Sequence, residues 1–240
     1  MCYCQLCGLQ KRLVRNSNLK NSCFSRLCFY CRDRTLKSDA LLGQPQNSKS
    51  NLLQPTLESV EGSQEQHSLI TAFIYQDLPQ ILIHNFKYRR HLIHGKILLD
   101  HLIDKLKTYY FMNPRPDIVT NIPQTETRYF QRGFCHTTIL SHWISKELAI
   151  PFVPMLQRQG DPKQQAGLNR MERIQNIRQS FILNQKEKIP EHSRVALIDD
   201  VITTGATTHE ALRTLSLHHN IISTDVWCLA GVPVPKAFEI

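Results

Sequence analysis

Apolar and polar positions follow two rhythms along this chain. Val195, Ala196, Leu197 and Ile198 show no alternation, which predicts a short strand buried on both faces. Leu69–Tyr75, Asp117–Ile122 and Ser223–Leu229 read as further strands. Between them the period lengthens. Asp77 is placed to cap a helix with Pro79 in its first turn, running through Ile81, Leu82 and Phe86. A second helix carries Leu98, Leu99, Leu102, Ile103 and Leu106 on one face, and a third carries Ile139, Leu140, Trp143, Ile144 and Leu148. Ala211, Leu212 and Leu215 mark a helix soon after the Val195 run, with Thr207 and Glu210 placed as a capping box. Strands alternating with helices predict an α/β fold with a parallel sheet flanked by helices.

The stretch "VALIDDVITTGATT", Val195 to Thr208, places chemistry at one edge of that sheet. A buried strand exposes charge only at its end, so Asp199 and Asp200 are expected at the carboxyl edge. Thr203, Thr204 and Gly205 are turn formers, and Gly205 permits a φ that other residues resist. Ligands of open α/β sheets collect at the carboxyl ends of strands, and a helix N-terminus offers free N–H groups to anions. A phosphate could rest on the backbone of Thr203, Thr204, Gly205, Ala206 and Thr207 while the two carboxylates take vicinal hydroxyls. A phosphorylated sugar fits both halves. No Lys follows the Gly as in a P-loop, which disfavours a nucleoside triphosphatase.

Composition divides the chain. Strand and helix patterns occupy residues 68–240, whereas 38–67 turn to Gln, Ser, Asn, Pro and Gly and read as a polar linker, with a short helical attempt near Leu52–Val60. Residues 1–37 hold eight Lys/Arg against Asp33 alone, so most of the net charge of +9 sits there. Such a segment could meet nucleic acid through phosphates, or its charge could offset metal-bound thiolates. Six of the eight cysteines lie in the same segment. Cys4 and Cys7, and Cys28 and Cys31, form two C-x₂-C pairs with the spacing of a structural Zn²⁺ site, the other reading being a cluster of reduced thiols. So short a segment needs metal to fold. Cys135 and Cys228 have apolar neighbours and read as core thiols. No apolar run approaches the ~18 residues of a membrane span, and no secretory h-region opens the chain. A cytoplasmic protein is expected.

Three further stretches carry charge. "PQTETRYFQRGF" reads as a polar loop leaving the Asp117 strand toward the edge of Asp199, with Gly133 allowing close backbone approach. Its Arg128 and Arg132 suit phosphate oxygens, or are simply an exposed basic loop. The run from Arg158 to Arg178 is polar and Gln-rich, although Met171, Ile174 and Ile177 also fit an amphipathic helix. "HNFKYRRHLIHGK" interleaves Phe86 and Tyr88 with Lys87, Arg89 and Arg90, a composition suited to single-stranded nucleic acid, while Phe86 at helical spacing suits a core.

"VALIDDVITTGAT" resembles the phosphoribosyl-diphosphate (PRPP) signature of type I phosphoribosyltransferases. With "LIHNFKYRRHLIHGKILLDHL", "DIVTNIPQTETRYFQRGF", "RQGDPKQQAGLNRMERIQNI" and "VWCLAG", the chain is similar to the ComF family of competence-associated proteins across about 1–36 and 68–232. One departure is Cys135-His136, where relatives usually show Asn-Gln. The resemblance implies a type I phosphoribosyltransferase-like domain behind a zinc-ribbon-like module. It implies PRPP held by Asp199, Asp200 and Thr203–Thr207, with Mg²⁺ on the diphosphate. Arg128 and Arg132 would meet that diphosphate, as would Arg158, Lys163, Arg170 and Arg173 from a hood closing over the substrate. It further implies a role in DNA uptake during natural transformation, with single-stranded DNA and uptake proteins as partners. Two classes stay open: a PRPP-dependent transferase, of DNA uptake or of housekeeping nucleotide metabolism, and a non-catalytic PRPP-fold protein that binds single-stranded DNA.

Overall fold

In the computed structural model, which describes residues 67–159 and 180–232, the Val195 run lies inside a four-stranded parallel sheet. Strand β1 is Leu69–Ile74, β2 Ile118–Asn121, β5 Ser193–Ile202 and β6 Ile221–Gly231, in spatial order β1-β6-β5-β2. Helix α1 (Asp77–Arg89) and α2 (Leu92–Tyr109) link β1 to β2, and α3 (Glu126–Arg132) and α4 (His136–Leu148) follow β2. Strands β3 (Leu156–Arg158) and β4 (Phe181–Leu183) form a separate antiparallel pair, and α5 (Ala206–Leu215) joins β5 to β6.

Two apolar layers explain why the central strands lack alternation. Ala196 and Ile198 of β5, with Trp227 and Leu229 of β6, pack among Phe86, Leu98, Leu99, Leu102, Leu140 and Ile144 from α1, α2 and α4. Val195 and Leu197, with Val226 and Cys228, pack on the other face among Ala211, Leu212 and Leu215 of α5 and residues of the β3–β4 pair. Successive side chains of a strand point to opposite faces, so both faces are buried. Phe86 is a core residue, and it lies so close to α2 that a Cβ on Gly95 would come within 2.7 Å of its ring. That approach fixes the end of α1, and Lys87 with it.

Several expectations need correction. Strand β5 does not end at Ile198. Beside β2 the pairing stops there, but on the other side Asp199, Val201 and Ile202 continue to pair with Cys228, Ala230 and Gly231. Asp77 is the first residue of α1 rather than its cap; Gln76 holds the cap position without a side-chain hydrogen bond. The expected capping box of Thr207 and Glu210 is absent, because α5 starts after Gly205 and Glu210 instead accepts from Arg213 at 2.7 and 2.9 Å. The stretch after β2 is a short helix rather than a polar loop. Thr125 Oγ1 caps it by accepting from Arg128 N at 3.3 Å, and Gly133, at φ +74, closes it. Gly133 lies beside the Arg90 side chain. Cys228 is a buried core thiol as expected, whereas half-buried Cys135 sits at the start of α4 with its sulfur 3.3 Å from Thr137 Oγ1.

No helix among the described residues is long and apolar enough to cross a membrane. The four-cysteine segment 1–37 expected to hold zinc, linker residues 38–66, and Lys163, Arg170 and Arg173 of the expected hood lie outside the described residues. Arg158 belongs to β3, one of the two strands that bracket the hood stretch in sequence.

Candidate functional site

The chain leaves β2 toward α4 on one face of the sheet and leaves β5 toward α5 on the other. Adjacent strands whose connections diverge leave a crevice at their carboxyl ends, the usual ligand position in open α/β sheets. Asp199 and Asp200 stand there, just past the last β2–β5 pair, Asn121 with Ile198.

Strand periodicity separates the two carboxylates. Asp199 points toward α5: its Oδ2 accepts from Thr208 Oγ1 at 3.4 Å and its Oδ1 from the Asp200 N–H at 2.8 Å. Asp200, 5% exposed, points toward α1 and α4. Lys87 Nζ lies 2.8 Å from its Oδ1, and His136 Nε2 lies against its Oδ2. Arg132 Nη1 is 3.0 Å from His136 Nδ1. A guanidinium can only donate, so Nδ1 accepts and the ring proton sits on Nε2, facing Asp200. Arg132, His136, Asp200 and Lys87 thus form one chain of polar contacts from the surface to the strand.

The electrostatics follow this division. Burial works against an ionised Asp200, but Lys87 and then His136 outweigh it and hold the carboxyl well below the ordinary range. Among the described residues Asp199 has no ion-pair partner; burial and then the neighbouring Asp200 charge, outweighing the more distant Lys87, push it up to about 7. A carboxyl raised in the folded state contributes stability that is fully present below its ordinary value of 3.8 and is lost as pH rises through about 7. Asp200 acts in the opposite direction, losing its contribution as pH falls below 3.8. Asp199→Asn should therefore flatten the decline in melting temperature between pH 4 and 7; parallel wild-type and variant curves would contradict this.

Beyond Asp199 the backbone turns through Thr203 and Thr204, both exposed, to Gly205 at φ +74 and ψ −7. This left-handed residue is the N-cap of α5 and makes no side-chain cap, so the N–H groups of the first helical turn are left to outside acceptors. Ala206 N reaches Thr204 Oγ1 only at 3.5 Å. Thr203, Thr204, Gly205, Ala206 and Thr207 therefore form a donor-rich cradle beside Asp199. Across the crevice, Arg158 lies over the Phe181 ring at 5.1 Å, near enough to Arg128 and Asp199 to feel both charges. Arg128 and Arg158 thus share the Asp199 side, whereas Arg132 faces away toward His136 and Tyr88. Sequence reasoning missed Lys87 and His136. A buried Asp needs a cation, and that demand was the signal for Lys87; His136 drew notice only as a departure from a pattern.

The strands, the crevice and the donor-rich cradle together make a candidate site at the carboxyl edge of the sheet. No family model matches the chain. Competence protein F of Haemophilus influenzae is 33% identical over 116 residues, covering 48% of this chain and 50% of that protein. DNA utilization protein YhgH of Escherichia coli O157:H7 is 27% identical over 168 residues, covering 67% of this chain and 70% of that one. The chain thus matches only half the length of the Haemophilus protein. Among solved structures, adenine phosphoribosyltransferase from Leishmania donovani aligns with TM-score 0.42 and 19% identity over 73% of this chain and 76% of that one. The resemblance to ComF-like proteins read from the motifs holds, and so does the parallel sheet flanked by helices.

Proposed function

We propose that this chain binds PRPP at the carboxyl ends of β2 and β5 and serves DNA uptake on the cytosolic side. The observation that carries the reading is the cradle of Thr203–Thr207 beside Asp199 at the point where the two strand connections diverge. In this reading the 5-phosphate rests on the backbone at the start of α5 and the ribose hydroxyls donate to Asp199. Asp200 shares the ribose only by giving up contacts with Lys87 or His136. Arg128 and Arg158 would meet the diphosphate, joined by Lys163 and Arg170. Among the described residues no three His, Cys, Asp or Glu side chains gather as a metal cage. Mg²⁺ would then arrive on the diphosphate, the usual way this ion joins a phosphate site. If the bond at C1 is cleaved, the residues contribute positioning and charge stabilisation of the leaving diphosphate. The DNA role comes from the names of the relatives, Competence protein F and DNA utilization protein YhgH. Calorimetric titration with PRPP and Mg²⁺ tests the reading.

The same reading assigns Cys4, Cys7, Cys28 and Cys31 to a structural Zn²⁺. Freshly reduced protein made with zinc present should carry about one Zn²⁺ per chain. Cys4→Ser should lose it, and metal analysis that finds none in the wild type would overturn the assignment.

A further inference from the structure

The end of α1 and the ring-bearing side of α3 form a face from which the sugar-phosphate reading takes only Arg128. Helix α3 has no buried residue, so it meets solvent on both sides. Its Tyr129 and Phe130 are 49% and 78% exposed, with rings edge to face at 6.0 Å. Tyr88, at the end of α1, is 59% exposed and carries the Arg132 guanidinium 4.7 Å from its ring centre. Its hydroxyl accepts from Arg132 Nη2 at 3.1 Å, and Arg90 Nε donates to Arg132 O at 3.0 Å. Gly133 lies against this junction, since a Cβ there would lie 2.3 Å from Arg90 Nη2 and the guanidinium would have to shift.

Charge on the face is mostly positive. Residues 84–93 and 126–134 hold Lys87, Arg89, Arg90, Arg128 and Arg132 against Glu126 alone. Lys87 is neutralised by Asp200; among the described residues none of the four arginines has a carboxylate partner. Exposed rings among arginines are poorly matched to a duplex, whose bases present no open faces. They match a single strand on both counts, because phosphates take the guanidinium groups and bases stack on the rings. We infer that this α1–α3 face binds single-stranded nucleic acid, with bases on Tyr88, Tyr129 and Phe130 and phosphates on Arg89 and Arg90. The inference rests on the DNA half of the proposed function and supplies its surface.

Fluorescence anisotropy with a labelled oligothymidine strand and the full chain tests it. Joint replacement Tyr129→Ala and Phe130→Ala should raise Kd about tenfold or more. Arg89→Gln should weaken binding and lower the slope of log K against log salt by about 0.7. Both variants should titrate PRPP as the wild type does. If the wild type binds the strand and both variants match it, the surface is wrong while the DNA role stands. If the wild type does not bind the strand, the surface and the DNA role fall together, and the PRPP titration is untouched.

Discussion

Asp200→Ala should destabilise the domain by about 3–5 kcal/mol, the usual cost of removing one partner from a buried ion pair. The reason is what remains. Lys87 Nζ, 2.8 Å from Asp200 and mostly shielded from water, would keep its charge without a counter-ion, and His136 would lose the acceptor for its Nε2 proton. The double replacement Asp200→Ala with Lys87→Met should recover much of the loss, since a well-packed apolar pair is often as stable as a buried ionic one. Chemical denaturation of the three variants measures both effects. A single variant as stable as the wild type would show that the Lys87–Asp200–His136 contacts contribute nothing. Removing both carboxylates at once is thus a poor probe of binding. It would unsettle the domain as well as the ligand.

Gly205→Val should remove most of the sugar-phosphate affinity while sparing that buried network. Gly205 has φ +74, and a β-branched residue is a genuine outlier there. Valine would relieve the strain by moving the Thr203–Thr207 turn, which displaces the backbone donors at the start of α5. A loss of about tenfold or more is expected, a little over 1.4 kcal/mol. The Arg213–Glu210 pair and the apolar face of α5 lie further along the helix and should keep it in place. Wild-type affinity in this variant would place the phosphate elsewhere.

The local features of the site were legible in the residues. An apolar run, two carboxylates, a Thr-Thr-Gly turn and a helix are consecutive in sequence, and short-range sterics suffice to order them. The α2 and α4 stripes were legible for the same reason. The clamp on Asp200 was not. Lys87 comes from α1 and His136 from α4, and only the packing of Phe86 against Gly95 and the seating of α4 on β2 and β5 bring them together. Strand length misled for a related reason. Polar Asp199 suggests an ending, but β5 continues because β6 still offers a paired edge as far as Gly231. The "PQTETRYFQRGF" stretch read as a loop because α3 has no apolar face to give it a period; its helix rests on the Thr125 cap and the Gly133 closure.

Calorimetric titration of the wild type and Asp199→Ala with PRPP and Mg²⁺ tests the central claim most directly. Asp199 has neither of the Asp200 clamp partners, so its loss should spare the fold, and far-UV circular dichroism checks that it does. The account predicts saturable binding by the wild type and its loss in the variant. No binding by the wild type, or equal affinity in a folded Asp199→Ala variant, would contradict it.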